Sequence, residues 1–138
     1  MSRRSRAREV VLQLLFQDDV NPPESAAQSS EFLAARLRST DLFEFAKSLL
    51  AGVRRNREEL DALLTQTADN WALDRMAATD RNVLRLGAYE MLYTETPNAV
   101  VINEAVDLAK RFGTNQSAQF VNAILDKLLQ QDGTSGQP

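Results

Sequence analysis

The sequence predicts an all-α fold on three observations. The four prolines fall at positions 22, 23, 97 and 138, which leaves residues 24–96 and 98–137 free of the strongest helix breaker. Ala and Leu are the commonest residues, and β-branched residues come only in short clusters. Apolar residues recur at i, i+3 and i+4 through most of the chain, the period of one buried helix face. With 138 residues, 43% of them hydrophobic, there is enough apolar content for one compact domain and no room for a second of catalytic size.

The elements follow in order. Ala7, Val10, Val11, Leu14 and Leu15 make the stripe of a first helix that Asn21-Pro22-Pro23 stops. Residues 25–30 read as a loop and residues 31–38 as a short helix with Phe32, Leu33 and Leu37 inward. Thr40-Asp41 offers the next helix cap, with Glu44 three residues after Asp41 as in a capping box. From Leu42 one stripe continues through Leu49, Val53, Leu60 and Leu64, with a gap at Asn56-Arg57 that marks a kink or a break. Residues 71–76 are less regular, and Thr79 then opens a helix carrying Val83, Leu84, Leu86 and Met91. Residues 100–112 repeat the helical pattern, and Gly113 stands where a left-handed residue ends a helix. A last helix carries Phe120, Val121, Ile124, Leu125 and Leu128. The expected organisation is a single domain over residues 1–131, of six or seven helices in two small subdomains, 1–70 and 71–131, followed by a disordered tail at 132–138.

Several chemistries are excluded outright. The chain has no His and no Cys, so Ser-His-Asp and Cys-His nucleophilic sites, Cys/His metal ligation and disulfides are absent. Five Gly leave no phosphate-binding glycine loop. The carboxylate pairs Asp18-Asp19, Glu58-Glu59 and Glu104/Asp107 stand in ordinary helical contexts and read as surface charge rather than an acid/base pair. No cofactor and no metal site is expected. There is no signal-peptide pattern and no apolar run near the ~18 residues a membrane span requires, so the expected location is the cytoplasm.

Charge points elsewhere. The formal net charge is −3, which taken alone argues against nucleic acid. Yet Arg3, Arg4, Arg6 and Arg8 fall within the first eight residues, and without them 12 basic residues face 19 acidic ones. A helix N-terminus already carries about half a positive charge, so four arginines there oppose local stability. An anion at that end would meet guanidinium groups, unpaired backbone N–H groups and the dipole together. The run Arg54-Arg55-Asn56-Arg57 is a control: Glu58, Glu59 and Asp61 stand four residues after the three arginines, so it reads as a solvated helical face. Aromatic residues could add stacking surfaces: Phe16, two turns past Arg8, and Phe120, which follows the polar string Thr114–Gln119. Periodicity alone would equally place both in the core.

Four segments carry a family resemblance: RAREVVLQ at 6–13, DRNVLRLGAYE at 80–90, VINEAVDLAKRFG at 101–113 and FVNAILDK at 120–127. Together they resemble the transcription antitermination factor NusB family over nearly the whole chain. The resemblance implies an all-helical protein that pairs with the ribosomal protein NusE, binds the boxA element of nascent ribosomal RNA, and joins RNA polymerase and other Nus factors to oppose Rho-dependent termination. It implies RNA contacts at Arg3, Arg4, Arg6, Arg8, Phe16, Gln116, Gln119 and Phe120, and a NusE-facing surface around Asp80, Arg85 and the passage from Trp71 to Met76, Asp74 among them. Ser5 interrupts the arginine run, Phe16 lacks the hydroxyl of the Tyr often found there, and Gln119 holds a position that is frequently basic. A homodimer is compatible with such a family. Two alternatives stay open: a helical protein adaptor without RNA binding, and a stand-alone relative of the RNA-binding module of an RNA cytosine methyltransferase.

Overall fold

A computed structural model describes residues 3–21 and 26–131. Among these residues there are seven α-helices and no strand: α1 (Arg3–Val20), α2 (Ala26–Arg36), α3 (Thr40–Arg55), α4 (Arg57–Thr67), α5 (Ala78–Tyr93), α6 (Asn98–Phe112) and α7 (Ser117–Gln131). A single 3-10 turn, Leu73–Arg75, precedes α5. The all-α expectation holds. The tail at 132–138 lies outside the described residues.

The chain divides into two compact units, Met1–Arg55 and Asn56–Pro138. The division falls at the break between α3 and α4, where Asn56 adopts φ −105° and ψ 16°. The seam expected near Trp71 lies inside the second unit, because α4 packs on α5 and α7 and belongs with them.

In the first unit α1 packs on α3 and α2. Val10, Val11 and Leu14 of α1, Leu33 of α2, and Ala46, Leu49, Leu50 and Val53 of α3 are buried. Ser39 supplies the cap of α3, its hydroxyl accepting the Leu42 N–H at 3.3 Å, so the helix starts at Thr40, two residues before a box capped by Asp41 would have it. The loop expected at 25–30 is instead helical from Ala26, and Ser29 is buried. The reason is Arg54. Its Nε and Nη2 donate to the Asp18 carboxylate at 2.8 and 2.9 Å and its Nη1 to the Ser29 hydroxyl at 2.8 Å, so one guanidinium links all three helices. Arg54 and Asp18 are thus structural, and neither is the solvated surface charge that local spacing suggested.

In the second unit α5 is the central helix, buried from Asn82 to Met91 and packed by α4, α6, α7 and the 3-10 turn. Gly87 admits α7 closely: a Cβ there would come 3.0 Å from a Leu125 methyl. Arg85 is only 4% exposed. Its Nε and Nη2 donate to Asp61 at 2.7 and 2.9 Å and its Nη1 to the Asn82 side-chain oxygen at 3.0 Å, which ties α5 to α4. Asp61 is therefore held by Arg85, and its contact with Arg57 is loose at 3.8 Å.

Candidate nucleic-acid interface

The residues singled out in the sequence fall into two places, one in each unit. On α1 the four arginines separate by depth. Arg3, Arg4 and Arg6 are exposed, whereas Arg8 is 3% exposed. Arg6 donates to Glu9 at 3.0 Å on the exposed surface. The guanidinium of Arg4 lies 4.2 Å and that of Arg8 5.1 Å from the centre of the Phe45 ring of α3, cation–π contacts that fix the directions of both side chains. In the sequence Phe45 reads only as part of the apolar stripe of α3, since nothing local pairs it with the arginines. Phe16 is 40% exposed near the end of the same helix, outside the core that periodicity would equally have allowed.

The second place is a cavity of about 180 Å³ lined by Trp71, Arg75, Met76, Asp80, Thr114 and Phe120, with Gln116 on its wall. Four separate segments build it. Helix α4 ends in a Schellman-type turn, with the Asn70 N–H on the Thr65 carbonyl at 2.8 Å and the Asp69 N–H on that of Gln66 at 3.2 Å. Asp69 and Asn70 carry φ of 57° and 66°, a left-handed geometry that Asp and Asn tolerate better than other side chains. Lys127 of α7 anchors the turn on Asp69 at 2.7 Å. Trp71 emerges 52% exposed and meets Phe120 edge to face, with ring centroids 5.7 Å apart. Arg81 Nη1 donates to the Leu73 and Met76 carbonyls at 3.1 and 3.0 Å, which holds the 3-10 turn against α5.

The α6–α7 turn forms the other wall. The Thr114 N–H donates to the Ser117 hydroxyl at 2.9 Å and the Gln116 N–H to the Thr114 hydroxyl at 3.3 Å, so the backbone of this polar string is engaged internally. Gly113 is not left-handed as expected: its φ is −101°. Space requires it instead, because a Cβ would lie 2.3 Å from the Ser117 hydroxyl oxygen and 2.8 Å from the Ala109 carbonyl oxygen.

The structure thus brings Thr114, Gln116 and Phe120, expected toward RNA, together with Trp71, Arg75 and Asp80, expected on the protein-facing surface. Asp80 was expected on a protein-facing surface. Its Oδ1 is buried and has no hydrogen-bond partner among the described residues. Gln119 is exposed on α7 and does not line the cavity, and Asp74 is exposed in the 3-10 turn beside Arg75. Arg85 does not fit its expected role: it is buried and bound to Asp61 and Asn82, so its donors are engaged within the unit. Likewise, burial removes Arg8 from the group that can reach a phosphate directly. Among the described residues no cluster of three or more carboxylates could hold a metal ion, and no helix is long and apolar enough to cross a membrane.

Comparison with known proteins agrees with the architecture. A family model described as the NusB family matches residues 5–130. The chain is 42% identical to the transcription antitermination protein NusB of Anaeromyxobacter dehalogenans over 92% of its own length and 90% of that protein's. It is 43% identical to that of Myxococcus xanthus, over 93% and 95% of the two lengths. Among solved structures, NusB of T. maritima superposes with a TM-score of 0.85 at 35% identity, covering 93% of this chain and 91% of that one. A chain in a structure of antitermination factors NusB and NusE with double-stranded RNA superposes with a TM-score of 0.85 at 26% identity, covering 95% and 98%. Matched from the first turns of α1 to the last of α7 by sequence and by fold, the chain belongs to the NusB family.

Proposed function

We propose that this protein is a transcription antitermination factor that binds the boxA element of nascent ribosomal RNA together with the ribosomal protein NusE, joins RNA polymerase with other Nus factors, and opposes Rho-dependent termination. The observation that carries the reading is the match over nearly the full chain to a protein solved with NusE and RNA. Two features of the chain support it. Arg3, Arg4 and Arg6 present cations at the start of α1, where backbone donors and the helix dipole add to them. Trp71 and Phe120 offer ring faces beside polar groups, the usual arrangement for holding unpaired bases. In this reading the protein is a cytoplasmic binding factor rather than an enzyme: the arginines position the backbone and the cavity takes a base. Phe16 adds to the RNA-facing residues of the first unit and Gln119 to those of the second, where Asp74 is offered to NusE.

The test is a titration of labelled boxA RNA and a scrambled RNA, each with and without NusE. Tighter binding of boxA, enhanced by NusE, is the expected result. An adaptor would bind NusE equally well with no RNA dependence, and that outcome would overturn the proposal.

A further inference from the structure

We propose that Phe45 of α3 is a positioning residue for RNA: its ring aims the Arg4 side chain before the RNA arrives, and through Arg4 it sets part of the affinity for phosphate. The inference rests on the RNA-binding reading above and adds to it a residue outside the arginine cluster. Arg4 and Arg8 stand four residues apart on one face of α1. Like charges so spaced repel each other, and the positive end of the helix dipole adds to the repulsion. An exposed arginine under that push samples many rotamers in water, and a bound phosphate must then freeze them at an entropic cost. Phe45 opposes the repulsion. Its ring centre lies 4.2 Å from the guanidinium carbon of Arg4 and 5.1 Å from that of Arg8, so one ring attracts both cations.

The two arginines use the ring differently. Arg8 is buried, so its charge stays beneath the surface, whereas Arg4 is exposed and within reach of an incoming strand. A guanidinium held by a ring also keeps its charge and its N–H donors for a phosphate. Arg6 shows the contrast. It donates to the Glu9 carboxylate at 3.0 Å, an acceptor that a phosphate has to displace. Phe45 itself is half-buried, at the edge of the stripe whose Ala46, Leu49, Leu50 and Val53 are in the core. From that edge α3 holds the ring while α1 brings the arginines to it. A leucine there would keep the apolar burial but supply no ring quadrupole, so the aromatic side chain is what the arginines require.

The experiment measures the affinity of the full chain for labelled boxA RNA across a salt series in wild type, Arg4→Ala, Phe45→Leu, Phe45→Trp, and Arg4→Ala with Phe45→Leu. Phe45→Leu is expected to weaken binding about twofold to fivefold, the range of an exposed cation–π contact, and to keep the wild-type salt slope. Arg4→Ala is expected to flatten that slope by about 0.7, the share of one phosphate on a single strand. In the Arg4→Ala background Phe45→Leu is expected to cost nothing further, because the ring acts through Arg4. Phe45→Trp, with the best ring for a cation, is expected to bind at least as tightly as wild type. A ring that only fills space would cost the same factor with or without Arg4, and that result overturns the inference. So does a Phe45→Leu chain that keeps wild-type affinity. If the leucine variant does not fold, NMR of the free wild-type chain decides. The ring current of Phe45 is expected to shift the Arg4 side-chain signals upfield of those of Arg3 and Arg6, and signals that coincide overturn the inference. These failures leave the RNA-binding reading intact, whereas a wild-type chain that binds no boxA RNA removes both.

Discussion

The arginine end of α1 and the Trp71–Phe120 cavity are built on opposite principles. The first is a cluster of one residue type within a single helix, two of whose members, Arg4 and Arg8, rest on one aromatic ring from α3. The second joins residues from the α4–α5 connection, the start of α5, the α6–α7 turn and the first turn of α7. Charge acts over distance and tolerates imprecise placement, so a site for phosphates can be written as a local run. A site for a base edge needs atoms placed to a fraction of an ångström, so it draws on several packed elements and their supporting hydrogen bonds.

The comparison can be broken most forcefully through the scaffold. Asp61→Ala deprives the buried Arg85 of its carboxylate and is expected to cost about 3 kcal/mol of stability, read in urea unfolding. Activity at the cavity should fall with folding, and recover where the chain is kept folded at low temperature. Gly113→Ala forces a Cβ into Ser117 and the Ala109 carbonyl, with an expected loss of roughly 1–3 kcal/mol. Its RNA affinity should drop further than stability explains, because the α6–α7 turn carries Thr114 and Gln116. Phe120→Ala removes one stacking face, about 1–3 kcal/mol of binding, with little change in the salt dependence.

At the other end, Arg4→Ala with Arg6→Ala should flatten the log–log salt slope by about 1 and weaken all RNAs alike. With Arg8 buried, three exposed arginines set the contribution of this end at a slope of roughly −2. The smallest effect belongs to Glu9→Gln, which releases Arg6 from an exposed pair and should change stability by less than about 0.5 kcal/mol.

Helices and their order were legible because period and punctuation are local properties. The stripes of α3 and α7 lie on their buried faces, and Leu49 and Leu125 are inside as expected. Where tertiary partners decide, local reading failed. The 25–30 stretch looks like a loop until Ser29 is seen to receive Arg54, and Arg54 looks solvated until Asp18 is seen 36 residues away. Gly113 was assigned the right position for the wrong reason, since dihedral preference and close approach leave the same mark in a sequence. For the site, the arginine run was visible but not its division by depth. The cavity was visible in two halves: Gln116 and Phe120 stood out for RNA, while Asp80 and the passage from Trp71 to Met76 stood out for a protein partner, and nothing local showed that the two halves meet.

The most direct test of the two-part account is the affinity for boxA RNA as a function of salt in three chains: wild type, Arg4→Ala with Arg6→Ala, and Phe120→Ala. The account predicts that the arginine variant loses slope and affinity for every RNA, while the Phe120 variant keeps the wild-type slope and binds more weakly at all salt concentrations. Equal loss of slope in both variants, or no loss in the arginine variant, would contradict it.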